Sequence, residues 1–197
     1  MPGQLAIFGG TFDPPHVAHV VAAVQARAQL GLDVVTVVPA GDPWQKSDEQ
    51  SVSPAAVRLA MTRAAFNGVD GTVVSDIEVE RSGPTFAIDT IDQLTQPDSP
   101  ESGRPTLILG ADAAAGLPGW HRADELAERV RIAWFPRPGA GEPGLGPNWS
   151  VTRIDMPLLE ISATQIRAWV ARGRPVDGLV PAGVRWVIEA EGLYRVR

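Results

Sequence analysis

A chain of 197 residues, 44% of them hydrophobic, can bury a full core and fits one domain over 1–197, with a layered body over roughly 1–160 and helices over 161–197. No apolar run reaches bilayer length and no basic-then-apolar leader opens the sequence, so a cytoplasmic protein without membrane contact is expected. The absence of cysteine excludes disulfides and thiolate chemistry; the net charge of −6 argues against wrapping nucleic acid but leaves small anionic ligands open, because a few local cations and backbone N–H groups hold those.

The first apolar run, Gln4–Phe8, reads as a buried strand ending at Gly9-Gly10. A loop over Thr11–Pro14 follows, with Pro15 suited to a first helical position. His16–Gln29 has helical period, with Val17, Val20, Val21, Val24 and Ala28 expected on the buried face and Gly31 as the stop. Asp33–Val38 reads as a second strand, so the opening is a βαβ unit and implies a parallel sheet. Beyond the loop Pro39–Ser53, Ser53 is expected to cap a helix from Pro54 to Phe66. Thr72–Val79 reads as strand, Thr85–Leu94 as helix, Gln96–Pro105 as a polar loop and Thr106–Leu109 as a core strand leading through Gly110-Ala111-Asp112 into a helix. Helix over Ala123–Val130, strand over Arg131–Phe135, a Gly/Pro-rich loop over Pro136–Pro147, strand over Val151–Met156 and helices over Ser162–Arg172 and Pro181–Glu191 complete the chain. The alternation implies an α/β fold with a doubly wound parallel sheet, a Rossmann-like arrangement with a small C-terminal helical subdomain. Ligands of such sheets sit at the carboxyl ends of the strands, which directs attention to Gly9–His19, Pro39–Lys46, Gly110–Asp112, Phe135–Arg137 and Ile161–Arg167.

Two segments carry the chemistry. In Gly9-Gly10-Thr11-Phe12-Asp13-Pro14-Pro15-His16-Val17-Ala18-His19, glycines after a strand admit a ligand close to the backbone, and the following helix start offers N–H groups to a phosphate. His16 and His19, three apart, share a face and can donate to phosphate oxygens. A tight turn with two surface histidines is the bland alternative; a metal site would need a third ligand that the neighbourhood lacks. In Ile161-Ser162-Ala163-Thr164-Gln165-Ile166-Arg167, Ser162 with Gln165 forms a capping box, which by itself accounts for the serine. The same capped helix start faces anions, and Arg167, on the face of Thr164, is suited to clamp phosphate. Lys46 is the single lysine of an arginine-rich chain. Trp44 and Trp120 lie in loops, where an aromatic platform for a ring is an alternative to core packing. Trp134, Trp149, Trp169 and Trp186 read as packing residues.

Together GGTFDPPHVAH and ISATQIR resemble the paired signatures of the (H/T)xGH nucleotidyltransferases. The intervening Pro39–Lys46, Gly83–Thr90, Gly110–Asp112 with Trp120, Arg137–Gly139 and the closing Val187–Tyr194 are similar to bacterial nicotinate-nucleotide adenylyltransferases, in one order over nearly the whole chain. The resemblance implies adenylyl transfer from ATP to nicotinic acid mononucleotide with Mg²⁺ bound to ATP, by direct in-line attack and with no metal ligand from the protein. It implies catalytic roles for His16, His19 and Arg167, and ATP contacts from Gly9, Gly10, Thr11, Phe12, His16, His19, Gly110, Asp112, Ile161, Ser162, Thr164 and Arg167. It further implies mononucleotide contacts from Trp44, Lys46, Thr85, Asp112, Trp120 and Arg137. Ala18 stands where the pattern has glycine and adds one methyl there; activity is expected to survive it. Nicotinamide mononucleotide or phosphopantetheine as acceptor, and a non-catalytic nucleotide sensor, are the alternatives; a homo-oligomer is compatible with the sequence. Gly139–Gly144 matches GxGxxG, but Pro143 and Pro147 forbid the helix a dinucleotide fingerprint requires.

Overall fold

The computed structural model describes residues 4–41, 52–95 and 103–195. Six parallel strands form one sheet: β1 (Ala6–Gly10), β2 (Val35–Pro39), β3 (Thr72–Val74), β4 (Thr106–Gly110), β5 (Arg131–Phe135) and β6 (Val151–Arg153), in the order β3-β2-β1-β4-β5-β6. This is the doubly wound arrangement expected from the alternation of elements. The order reverses between β1, which pairs Ile7 with Leu107, and its neighbour β4, so a crevice opens beyond their carboxyl ends at Gly10 and Gly110. Seven α-helices are described: α1 (Val17–Leu30), α2 (Ala55–Phe66), α3 (Ala87–Leu94), α4 (Ala111–Ala115), α5 (Ala123–Arg129), α6 (Ala163–Ala171) and α7 (Ala182–Ala190).

Alternation along the strands feeds two cores. Ala6, Phe8, Val35, Val37 and Ile108 face a layer with α1, α2, α6 and α7, to which α6 and α7 contribute Ile166, Val184, Val187 and Ile188. Ile7, Val38, Leu107, Leu109, Ile132 and Trp134 face α3, α4 and α5. Among the described residues no helix is long and apolar enough to cross a membrane.

Several expected boundaries and faces differ. β1 includes Gly9 and Gly10, which pair with Val38 and Pro39, so the glycines end the strand rather than follow it. α1 starts at Val17 with His16 as its N-cap; Pro15 lies outside it. The buried face of α1 is Ala18, Ala22, Ala23 and Ala26, with Ala22, Ala23 and Ala26 in the core cluster, while Val24 is exposed. Gly31 does stop the helix, with φ 63°. Pro54, not Ser53, is the N-cap of α2; the Ser53 N–H is taken by Asp13. β3 ends at Val74: Ser75 N–H still reaches Val37 O, after which the chain turns, closed by Glu80 N–H to Asp76 O. α3 begins at Ala87 rather than Thr85, and β6 stops at Arg153. Trp134 and Trp149 are buried, but Trp186 on α7 is 68% exposed rather than a packing residue of the core.

Candidate active site

The crevice at the switch point is a cavity of about 550 Å³. Its walls include Gly9–Asp13, His16, His19, Thr85, Gly110, Trp120, Arg137, Ser162, Thr164 and Arg167, bringing together residues spread over the whole sequence. Gly9 faces open space where a Cβ would stand, which suits close approach of a ligand. Gly10 is glycine for another reason: a Cβ there would meet the Phe12 ring at 2.9 Å. Phe12 has φ 51°, the left-handed region costly for a side-chain-bearing residue, and its buried ring holds that turn edge-on against Phe8 at 5.5 Å and His19 at 5.1 Å.

His16 and His19 stack at 3.8 Å between ring centroids. The His16 backbone N–H donates to His19 Nδ1 at 3.1 Å, so the neutral His19 ring carries its proton on Nε2. The His16 ring is 2% exposed, and its Nδ1 has no hydrogen-bond partner among the described residues. Burial first, and the positive charge of Arg137 second, hold its pKa down to about 4, so His16 is neutral at pH 7. Across the cleft Ser162 Oγ caps α6 by accepting Gln165 N–H at 3.1 Å, the N-cap half of the expected box. Arg167 donates to Asp13 O at 2.8 Å and to Thr164 Oγ1 at 3.3 Å, which fixes its guanidinium beside the β1 loop. A helix N-terminus, an arginine and two histidines thus converge on one crevice, and all can hold an oxyanion.

The cytidylyltransferase-like family model matches residues 7–169. The chain belongs to that family. Curated relatives include a probable nicotinate-nucleotide adenylyltransferase of Exiguobacterium sibiricum, 43% identical over 97% of this chain and 98% of its own length. Another, from Saccharopolyspora erythraea and named in the same way, is 42% identical over 98% of this chain and 90% of its own length. Among solved structures, Plasmodium falciparum nicotinic acid mononucleotide adenylyltransferase complexed with NaAD superposes with a TM-score of 0.75 at 18% identity, covering 97% of each chain. Within the cytidylyltransferase-like family, then, the chain stands with the nicotinate-nucleotide adenylyltransferases.

Measured against the residues expected from the family signatures, most line the crevice. Ile161 and Ala18 lie instead on a small adjoining cavity with His16, His19 and Arg137. Asp112 does not line the main cleft; its side chain is 62% exposed and pairs with Arg137 at 3.3 Å. Trp44 and Lys46 lie outside the described residues.

The site of this nucleotidyltransferase also contains residues that the sequence did not single out. Arg58 of α2 is 1% exposed; it donates to Ser53 O at 2.9 Å, Thr11 O at 3.0 Å, Gly41 O at 2.6 Å and Ala40 O. The loops after β1 and β2 are therefore tied together from beneath. Asp13, also buried, accepts Ser53 N–H at 3.1 Å and the Tyr194 hydroxyl at 2.6 Å. Burial, and then the Asp13 carboxylate, hold the Tyr194 pKa well above its ordinary value, so the phenol stays a donor. Glu78 lines the cleft beside Thr85 and Thr90.

Proposed function

We propose that the chain transfers the adenylyl group of ATP to nicotinic acid mononucleotide, giving deamido-NAD and pyrophosphate in NAD biosynthesis in the cytoplasm. The observation that carries this reading is the convergence of His19, the α6 N-terminus and Arg167 on the switch-point cleft. The relatives' shared name supports the acceptor. A phosphate oxygen of the mononucleotide attacks the α-phosphorus, and the bond to the oxygen bridging the α- and β-phosphorus atoms breaks as pyrophosphate leaves. No protein nucleophile takes part, so the residues act by position and charge. His19 donates from Nε2 to a phosphate oxygen, Arg167 and the α6 N–H groups clamp the triphosphate, and neutral His16 offers a hydrogen bond without adding charge. Thr85 and Trp120 take the mononucleotide, together with Trp44, Lys46 and Arg137.

Mg²⁺ would enter with ATP and would supply charge neutralisation for the leaving pyrophosphate. The partners are small molecules rather than nucleic acid or membrane.

Pyrophosphate release from ATP and Mg²⁺, measured side by side with nicotinic acid mononucleotide, nicotinamide mononucleotide and phosphopantetheine, tests the reading. Strong preference for the acid form is expected. Release only with another acceptor would reassign the substrate, and ATP binding without release would favour a sensor.

Ala18 supplies a second test. Its methyl stands on the small cavity behind the two histidines. Ala18→Gly is expected to lower the KM for ATP about threefold while costing ~1 kcal/mol of helix stability. An unchanged KM with the same loss in thermal unfolding would show that the methyl does not meet the nucleotide.

A further inference from the structure

On the wall of the cleft that carries Thr85, a carboxylate gathers hydrogen bonds that nothing in the transfer step uses. Glu78 sits in the turn after β3, partly exposed, and its open side lines the cleft. Its Oε1 accepts the Thr90 hydroxyl at 2.7 Å. Thr90 in turn accepts Arg81 Nη1 at 3.2 Å, so Arg81 polarises the hydroxyl towards the carboxylate. The Gly41 amide and the Thr85 hydroxyl stand near the carboxylate and favour its charged form. Burial raises the carboxyl pKa; the Thr90 hydroxyl, Arg81, the Gly41 amide and the Thr85 hydroxyl, in that order, oppose the rise.

Gly41 shows how closely this wall is built. A Cβ on Gly41 would come within 2.0 Å of the Glu78 carbonyl oxygen and 3.1 Å of Thr85 Cγ2. Only glycine permits that approach. Gly41 is thus packed against the Glu78 backbone and bonded through its carbonyl to Arg58 at 2.6 Å.

We propose that Glu78 is a positioning residue for the mononucleotide side of the cleft, holding α3 through Thr90 and packing on Gly41 of the β2 loop beside Thr85, so that this wall is set before the acceptor binds. This rests on the adenylyl-transfer reading. A carboxylate suits the task because both of its oxygens accept; glutamine has the same shape but one accepting oxygen, and its NH₂ turns a donor towards groups that are themselves donors. Glu78→Gln therefore keeps the packing and weakens the hold. The histidines, Ser162 and Arg167 are held by other bonds, so the ATP side is left as it was.

The experiment uses the full chain with the pyridine mononucleotide that the wild type prefers. For Glu78→Gln the KM for that mononucleotide is expected to rise about tenfold, with kcat and the KM for ATP changed less than about threefold. Without substrate, amide hydrogen exchange of the segment ending at Gly41 should quicken, and cooperative thermal unfolding should persist. Parallel rises in both KM values, or an unchanged mononucleotide KM, would overturn the proposal, as would unaltered exchange at Gly41. If the wild type transfers adenylate to no pyridine mononucleotide, the transfer reading itself fails; exchange at Gly41 then still decides whether Glu78 holds the loop.

Discussion

Replacing His19 with alanine is expected to lower kcat by roughly 10²–10³-fold, the loss typical of removing one preorganised donor to a transition-state oxyanion. The structure aims the ring for that task. Its Nδ1 is occupied by the His16 N–H at 3.1 Å, which settles the neutral tautomer and presents Nε2–H as the donor. Stacking on His16 and edge contact with Phe12 hold the ring plane, so little reorganisation accompanies transfer. His16 does not take over this bond, because its ring is buried and fixed by the stack in its own place. Truncation also leaves the His16 N–H without its acceptor, a cost of about 1 kcal/mol that thermal unfolding would register as a small shift. The deciding measurement is pyrophosphate release at saturating ATP and acceptor. A kcat within about threefold of wild type would remove His19 from the catalytic set, whereas a raised KM for ATP at constant kcat would make it a ground-state contact.

The order of elements was legible because buried parallel strands are short continuous apolar runs and helices carry a longer period. The strand ends, and with them the crevice, followed from that order. What escaped had identifiable causes. On α1 the valines outweigh the alanines in hydrophobicity, yet the alanines form the buried face. In the turn after β3, Ile77 and Val79 alternate with polar residues as a strand would, which hid the turn that carries Glu78 to the cleft. Asp13 lies in the most informative segment, but its partners Ser53 and Tyr194 are 40 and 181 residues away. Arg58 resembles any solvated arginine on a helix; only the three-dimensional meeting of the β1 and β2 loops shows that it is buried.

Arg58 also yields the largest expected effect on stability. A guanidinium with 1% exposure has given up its hydration, and its field of donors is filled by the carbonyls of Thr11, Ala40, Gly41 and Ser53. Arg58→Met keeps much of the aliphatic stem but supplies no donor. Each buried carbonyl left unmet costs about 1–3 kcal/mol, partly recovered where the cleft readmits water, and the variant no longer desolvates a charge. A net loss of about 3–5 kcal/mol follows, which for a chain of this size lowers Tm by roughly 6–20 °C. Arg58→Lys should fall between the two, since an ammonium keeps the charge but cannot reach four carbonyls in the directions a planar fork does. The functional signature differs from that of Glu78. Arg58 fixes Thr11 on the nucleotide side and Gly41 on the acceptor side, so its loss should raise the KM for both substrates, measured below the lowered Tm. A methionine variant that melts within about 2 °C of wild type would mean that the four carbonyls find other partners at little cost, and that the two loops do not depend on this side chain for their spacing.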